Sequence, residues 1–540
     1  MGLLKVLFVT ATTLCACFVA MVAVGVVVMK DAVQAEYAAL WTPLKHLDVD
    51  GFTGGPAPFL RQLQVVATER LTGADQFPLE ESLTKTQALE WVASPSVDGL
   101  RVTRAAQPGS KTLLDNVDGA KALVVGTIRM GFGHHRIAYA MSSWGAGAQK
   151  KELPGGVYFH DLLSIESPEA RLIHDTDALY RKSSKLATEV GGPFELLHGF
   201  LTSSGDATSL RSTALVGARL APLMRGLPKK APVVATHTLV ALAAAAAGAE
   251  RILNLVIDNH PQWFVVAPGA LNLVQGPRNY YGFLQKFEAG GVEPAEADKR
   301  VALAGHWIPK AMVEGIEKDC DRRIRRAKLP ATKAPRRVLV PVGGAGAQKK
   351  FITELFVEAA PLCRSGHVQL VLNAGDHADM KAALLEVAAS LGFTEKSGDL
   401  AIVHDHAGVV ALGETFAKGD KAGAKVTILA FTDYFAAVAA TDVLVPSIDV
   451  LACKPSELAF YPVPKLMIRR VGDHEAFSAS RANELGDGTA EVRTVPDAVL
   501  YLKRFVASAE PLATMNAMIK RHDAWGAYSG CKNALELARA

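Results

Sequence analysis

Two adjacent histidines, His134 and His135, sit in the stretch KALVVGTIRMGFGHHRIAYAMSSW (residues 121–144). An apolar run of strand length precedes them and a helical pattern follows, so both fall on a glycine-bearing strand-to-helix turn. An imidazole with an unperturbed pKa of about 6.5 suits general-base work at neutral pH. The pattern allows blander roles as well: His135 suits a helix cap and His134 a polar loop position. GFGHH is not a dinucleotide fingerprint, because its third glycine is missing.

A second glycine turn, VPVGGAGAQKKFITELF (residues 340–356), follows another apolar run. Gly343, Gly344 and Gly346 permit close backbone approach. The helix that begins near Gln348 offers free N–H groups and a positive dipole end, and Lys349 and Lys350 add charge. Together these favour a diphosphate, although a strand-to-helix turn needs small residues for geometry alone. It is not a P-loop, since no GxxxxGK[ST] is present.

A third stretch, residues 442–488, reads as a strand ending at Pro446 and a helix opening at Lys454, Pro455, Ser456 and Glu457. Proline at the first helical position and an acid in the first turn fit that start. Glu457 suits a ribose diol or a plain helix cap. His474 and Glu475 suit sugar hydroxyls or a solvated loop.

The elements that must position these residues follow from the hydropathy pattern. After Gly119 short apolar runs alternate with helical stretches: KALVVGTI, GGVYFHDLL, APVVATHT, RILNLVID and LNLVQG, then RVLVPVGG, VQLVLNAGD, LAIVHDH, KVTILAF, DVLVPS and VPKLMI. Continuous apolar strands separated by helices imply parallel sheets covered on both faces, hence two tandem doubly wound α/β domains. The expected division is residues 119–318, a basic proline-interrupted linker 319–337, residues 338–510, and a C-terminal helix 511–540 packing back. Residues 36–118, with an amphipathic FLRQLQVVATERL, read as an irregular preface.

The chain has 540 residues, 49% hydrophobic, with a net charge of +4. That allows two or three domains, and with no Lys/Arg block it argues against a nucleic-acid partner. Six scattered cysteines (Cys15, Cys17, Cys320, Cys363, Cys453, Cys531) form no CxxC pair, against a disulfide framework or structural metal. Val6 to Met29 carries no charge and has the roughly 20-residue length of a transmembrane helix. The sequence therefore predicts an N-terminal anchor over residues 1–35 and a single-pass membrane protein, with AVQAE leaving a cleavage site at Ala35 open.

Taken together, these stretches resemble GT-B-fold glycosyltransferases of the branch containing monogalactosyldiacylglycerol synthases, processive diacylglycerol glucosyltransferases and the peptidoglycan N-acetylglucosaminyltransferase. GFGHHRIA resembles the branch's GGGH loop. ATHT (235–238) and IDNHPQWFVV (257–266) resemble its THP and HPxWF elements, and AGHWIPKAM (304–312) its GIPVRPxF. VPVGGAGAQ resembles its GGSxGA donor loop, and residues 446–479 its KPGG…GQExxNA stretch. The match spans residues 121–488. Phe132 replaces a loop glycine, Ser447 to Ala452 replace the usual glycines, and His474 stands in place of glutamine.

The resemblance implies a GT-B fold whose domains face a cleft, with a hexose transferred from a nucleotide sugar, UDP-linked, to a lipid acceptor such as diacylglycerol. It implies an anionic membrane surface as partner and no cofactor or metal, and the site where nucleotide sugars are made would put the catalytic domains on the cytoplasmic face. It places His134, His135 and Asp258 in catalysis and Gly131, Phe132, Gly133, His237, His260 and Trp263 at the acceptor. Gly343, Gly344, Gly346, Gln348, Lys454, Ser456, Glu457, His474 and Glu475 fall at the donor. HDTD (174–177) holds a DxD that binds a metal–diphosphate in another glycosyltransferase fold, but Asp175 and Asp177 also suit an N-cap. ALYRKSSKL resembles a membrane-approaching helix through Arg181, Lys182 and Lys185, or is a solvated face. Two rival readings stand: a nucleotide-sugar epimerase of the same fold, and an inactive relative serving as a membrane scaffold.

Overall fold

The computed structural model describes residues 30–72, 77–94, 100–148, 153–174, 206–344 and 346–540. Two sheets organise the chain in a mixed α/β arrangement with helices on their faces. The first holds strands β1 (Leu89–Ala93), β2 (Arg101–Ala105), β3 (Ala122–Thr127), β4 (Gly156–Asp161), β5 (Val233–Ala235), β6 (Ile252–Leu255), β7 (Leu271–Val274) and β8 (Val301–Leu303). Their order is β1-β2-β4-β3-β5-β6-β7-β8, parallel except for the β1–β2 hairpin. The second holds β9 (Arg336–Pro341), β10 (Val368–Asn373), β11 (Leu400–Val403), β12 (Val426–Leu429), β13 (Val450–Cys453) and β14 (Lys465–Met467). It is wholly parallel, in the order β11-β12-β10-β9-β13-β14.

The parallel part of each sheet starts at a central strand, β3 or β9, builds outward on one side and then returns to the other; in the first sheet the β1–β2 pair is laid down earlier as the edge beyond β4. Strand order thus reverses between β3 and β5, and between β9 and β13. Parallel sheets bind ligands at the carboxyl ends of strands beside such a reversal. Both β3 and β9 are buried along their whole length, as central parallel strands require.

Several expectations need correction. No helix among the described residues is long and apolar enough to cross a membrane. The most apolar, Thr238–Ala246, has 9 residues and at 1.5 Å per residue spans about half the roughly 30 Å hydrocarbon core. The expected N-terminal transmembrane helix and single-pass localisation are therefore not supported; residues 6–29, on which they rested, lie outside the described residues. ALYRKSSKL and Asp175 and Asp177 of HDTD lie outside them too.

Residues 36–118 are not a separate preface. Helix α1 (Phe59–Thr72) packs against α2 (Ala207–Arg219), and β2 joins the first sheet beside β4. Nor is 319–337 an extended linker. Residues Ile316–Lys328 form a helix whose Arg323 donates to the carbonyls of Val445, Ile448 and Pro462. Its Arg326 pairs with buried Asp449 at 3.0 Å. The basic residues that suggested a solvated linker instead satisfy carbonyls and a carboxylate at the base of the second sheet. At the C-terminus, Gly530–Arg539 packs on the helix Phe132–Ala148, and backbone bonds His306 N to Ala527 O and Gly530 N to His306 O tie it to the first domain.

Two local assignments also change. DVLVPS is not a strand: residues Tyr434–Leu444 are helical and Val445–Ser447 a 3-10 turn, the strand being Val450–Cys453. A short apolar run does not distinguish buried helix from buried strand by period alone. The helix expected at Lys454 is a single 3-10 turn, Glu457–Phe460, because Pro462 and Pro464 follow at once and cannot continue a helix.

Candidate active site

The loop after β3 turns at Gly131, whose φ of +84° lies in the left-handed region open to glycine. The chain then enters the helix Phe132–Ala148. That first turn carries His134, His135 and Arg136, and each points to a different place.

His134 faces the cleft between the domains. Its Nδ1 lies 2.6 Å from the carbonyl oxygen of Thr236, just past β5, and its ring meets that of His237 edge-on at 4.5 Å between centroids. Burial pushes His134 below the ordinary histidine value, against the Thr236 bond and the charges of Asp258 and Glu457. His237 caps the helix Thr238–Ala246 by accepting from Leu239 N at 3.1 Å.

His135 does not reach the cleft. It is fully buried, 3.5 Å from Asp161, and enclosed by Phe159, Tyr434 and Phe435. The catalytic position expected for it is corrected: one residue further along the helix turns the side chain by 100°, here towards Asp161 and the aromatic cluster rather than the cleft.

Arg136 is 1% exposed and forms an ion pair with Glu457 across the domain boundary. It also donates to Thr441 Oγ1 at 3.3 Å. Burial alone would raise Glu457, but Arg136 and Lys454 outweigh it and hold the carboxyl below the usual range. An isolated charge in an otherwise apolar helix start, RIAYAM, was the signal for a buried partner that sequence reasoning missed.

Phe132, expected at the acceptor, is instead a wedge into the second domain. It is buried against His377 and Tyr434, at 5.8 and 5.4 Å between ring centroids, and Tyr434 donates to Gly131 O at 3.0 Å. The two glycine loops meet backbone to backbone. A Cβ on Gly344 would lie 2.3 Å from Phe132 N and 2.4 Å from Gly131 Cα. Gly344→Ala is therefore expected to force the domains apart and to lower stability by about 1–3 kcal/mol, the usual range for overpacking. A thermal unfolding midpoint equal to wild type would show that the loops do not meet as described.

On the second domain, the helix Lys349–Arg364 starts at Gln348, with φ +70° and no side-chain cap, and its N-terminal dipole end favours an anion. Lys454 pairs with Glu475, which also accepts from Val471 N at 2.8 Å. Gln348 donates to Arg469 O.

These groups enclose a polar cleft of about 130 Å³, lined by Gly131, Gly133, His134, Asp258, Gly343, Gly344, Gln348, Lys454, Ser456, Glu457, His474 and Glu475. Gly346 turns away beside His377. His260 stacks on Phe477 at 4.7 Å, and Trp263 packs on Phe287; neither lines the cleft. Sequence reasoning missed a second, mainly apolar chamber of about 560 Å³, formed in part by Leu172, Ile173, Val216, His237, Leu239 and Phe264. The chamber and the cleft share Met130, His134, Ile257, Asp258 and His474, with His474 Nε2 3.9 Å from Asp258. Among the described residues no group of three or more His, Cys, Asp or Glu is placed to hold a metal.

Fold and site together define a two-domain α/β protein whose facing sheet reversals enclose a polar cleft and an adjoining apolar chamber. Residues 84–285 match the family model described as "Domain of unknown function (DUF6937)", and residues 296–539 match "Domain of unknown function (DUF6938)". No curated protein matches the sequence. Among solved structures, the chain is similar to a UDP-GlcNAc 2-epimerase from Neisseria meningitidis bound to UDP-GlcNAc (10% identity, 77% of this chain and 98% of that one, TM-score 0.38). It is similar to WaaG, a glycosyltransferase involved in lipopolysaccharide biosynthesis (11%, 77% and 99%, 0.39). It is also similar to the trehalose-6-phosphate synthase OtsA (13%, 77% and 98%, 0.38).

Proposed function

We propose that the protein is a glycosyltransferase that moves a hexose from a UDP-linked donor onto a hydroxyl of a lipid such as diacylglycerol. The observation that carries this reading is the shared wall. A polar cleft with an uncapped helix N-terminus and Lys454 meets an apolar chamber at His134, Asp258 and His474. Sugar transfer from a charged nucleotide to an apolar acceptor needs two such compartments joined at a base.

In the proposed reaction His134 Nε2 takes the proton of the acceptor hydroxyl. The oxygen bonds to the anomeric carbon and the carbon–oxygen bond to UDP breaks. The diphosphate leaves with the electron pair, balanced by Lys454 and the amides of the Gly343–Gln348 loop. The polar cleft, at about 130 Å³, is smaller than the roughly 300–1,000 Å³ of ligand pockets, so the donor enters as the domains part. Glu457, held here by Arg136, is then released for the ribose. Because His134 is held below the ordinary histidine value and its protonated form is no base, the acid limb of the pH–rate profile is expected below about pH 6.5. A limb at or above that value would remove His134 from the role.

Epimerisation of a nucleotide sugar is the second reading, favoured by three carboxylates in the cleft, Asp258, Glu457 and Glu475. Two of them are already paired with Arg136 and Lys454, and the apolar chamber has no task in it. Labelled UDP-sugar incubated with the protein and diacylglycerol vesicles separates the readings. Label extracted into the lipid supports transfer, and an epimerised free nucleotide sugar supports the alternative. No donor binding by calorimetry would sink both.

A further inference from the structure

The end wall of the apolar chamber carries two histidines whose protons are fixed by different bonds. His134 Nδ1 lies 2.6 Å from the Thr236 carbonyl oxygen. A carbonyl only accepts, so the proton is on Nδ1 and Nε2 presents a lone pair. His237 Nδ1 accepts the Leu239 amide N–H at 3.1 Å, so it carries no proton and the neutral ring holds its proton on Nε2. The rings lie 4.5 Å apart between centroids, and neither Nε2 has a partner among the described residues. Burial, and after it the neighbouring charge of His134, push His237 well below the ordinary histidine range, which keeps it neutral. No lysine or arginine is among the described residues lining the chamber, whereas Asp258 is.

One acceptor beside one donor is the complement of a hydroxyl group. A carboxylate or phosphate only accepts. It would face the His134 lone pair and Asp258 without a cation to balance it, at a large desolvation cost. We propose that the chamber selects an uncharged alcohol with an apolar body. His134 Nε2 accepts the hydroxyl proton and so sets the specificity, while His237 Nε2–H donates to the same oxygen and holds it in place. This deepens the transferase reading, and rests on it only in identifying that hydroxyl as the one that attacks.

The test is displacement of Nile red from the full chain, without nucleotide, by 1-dodecanol, dodecyl methyl ether and dodecanoate. Dodecanol is expected to bind about tenfold more tightly than the ether, which cannot donate to His134 and so lacks one net hydrogen bond, and more tightly still than dodecanoate. His237→Asn keeps a side-chain acceptor for the Leu239 amide and hence the helix cap, but cannot place a donor where Nε2–H stood. It is expected to weaken dodecanol and its methyl ether alike by about tenfold, since both oxygens accept from Nε2–H, at an unchanged unfolding midpoint. Dodecanoate binding as tightly as dodecanol, binding of none of the three, the ether binding as tightly as dodecanol, or an unchanged dodecanol affinity in His237→Asn would each overturn the proposal. Because no sugar nucleotide takes part, failure of donor binding leaves the alcohol preference standing, and loss of that preference leaves donor binding and transfer standing.

Discussion

Arg136→Met is expected to lower the free energy of unfolding by roughly 3–5 kcal/mol, the cost of leaving one member of a buried ion pair without its partner. The charge left behind is Glu457, 9% exposed, with its other oxygen beside Gly133 and a nearby Lys454 that is already paired with Glu475. The double substitution Arg136→Met with Glu457→Met is expected to recover most of the loss, because buried pairs exchanged for apolar residues of similar size are often neutral. Urea unfolding followed by tryptophan fluorescence and by circular dichroism checks both. A single variant with wild-type midpoints would show that the pair does not bind the domains together. A double variant no more stable than the single one would show that the loss came from packing around Phe132 rather than from the unpaired charge.

The second large effect concerns turnover. His134→Ala is expected to reduce transfer to a lipid acceptor by roughly 10²–10⁴-fold, the range for a positioned general base, with donor affinity by calorimetry unchanged. The ring touches the chamber and the cleft at once, and its bond to Thr236 O leaves Nε2 as the reacting atom. Loss of donor affinity in step with turnover would instead make His134 a binding residue. Retention of turnover would shift the base to Asp258, which lies on the same shared wall.

Local sequence was a good guide wherever a feature depends on neighbours along the chain. The apolar runs of β3, β9, β10 and β12 announce buried parallel strands, the alternation with helices announces two doubly wound sheets, and the glycine turns at 131–133 and 343–346 fall where those strands end. The third stretch and the family resemblance added Asp258, Lys454, Glu457 and Glu475 to His134 and Gln348 as expectations, and the fold brings all six to the polar cleft. DVLVPS was misread because so short an apolar run carries no decisive period, and 319–337 because arginines that fill carbonyl-lined pockets look, in sequence, like solvated charge.

Tertiary structure alone decided which of two adjacent histidines faces the cleft, and it gave Phe132 its place as a wedge between domains. It also brought Arg136 to Glu457 across 321 residues and made a chamber from the ends of β5 and β6 and the helix Ala207–Arg219. The physical reason is the same throughout. Hydrophobic period, turn chemistry and helix-end preference act over a few residues and are written locally, whereas burial, ion pairing and cavity shape belong to surfaces that meet only when the chain has folded.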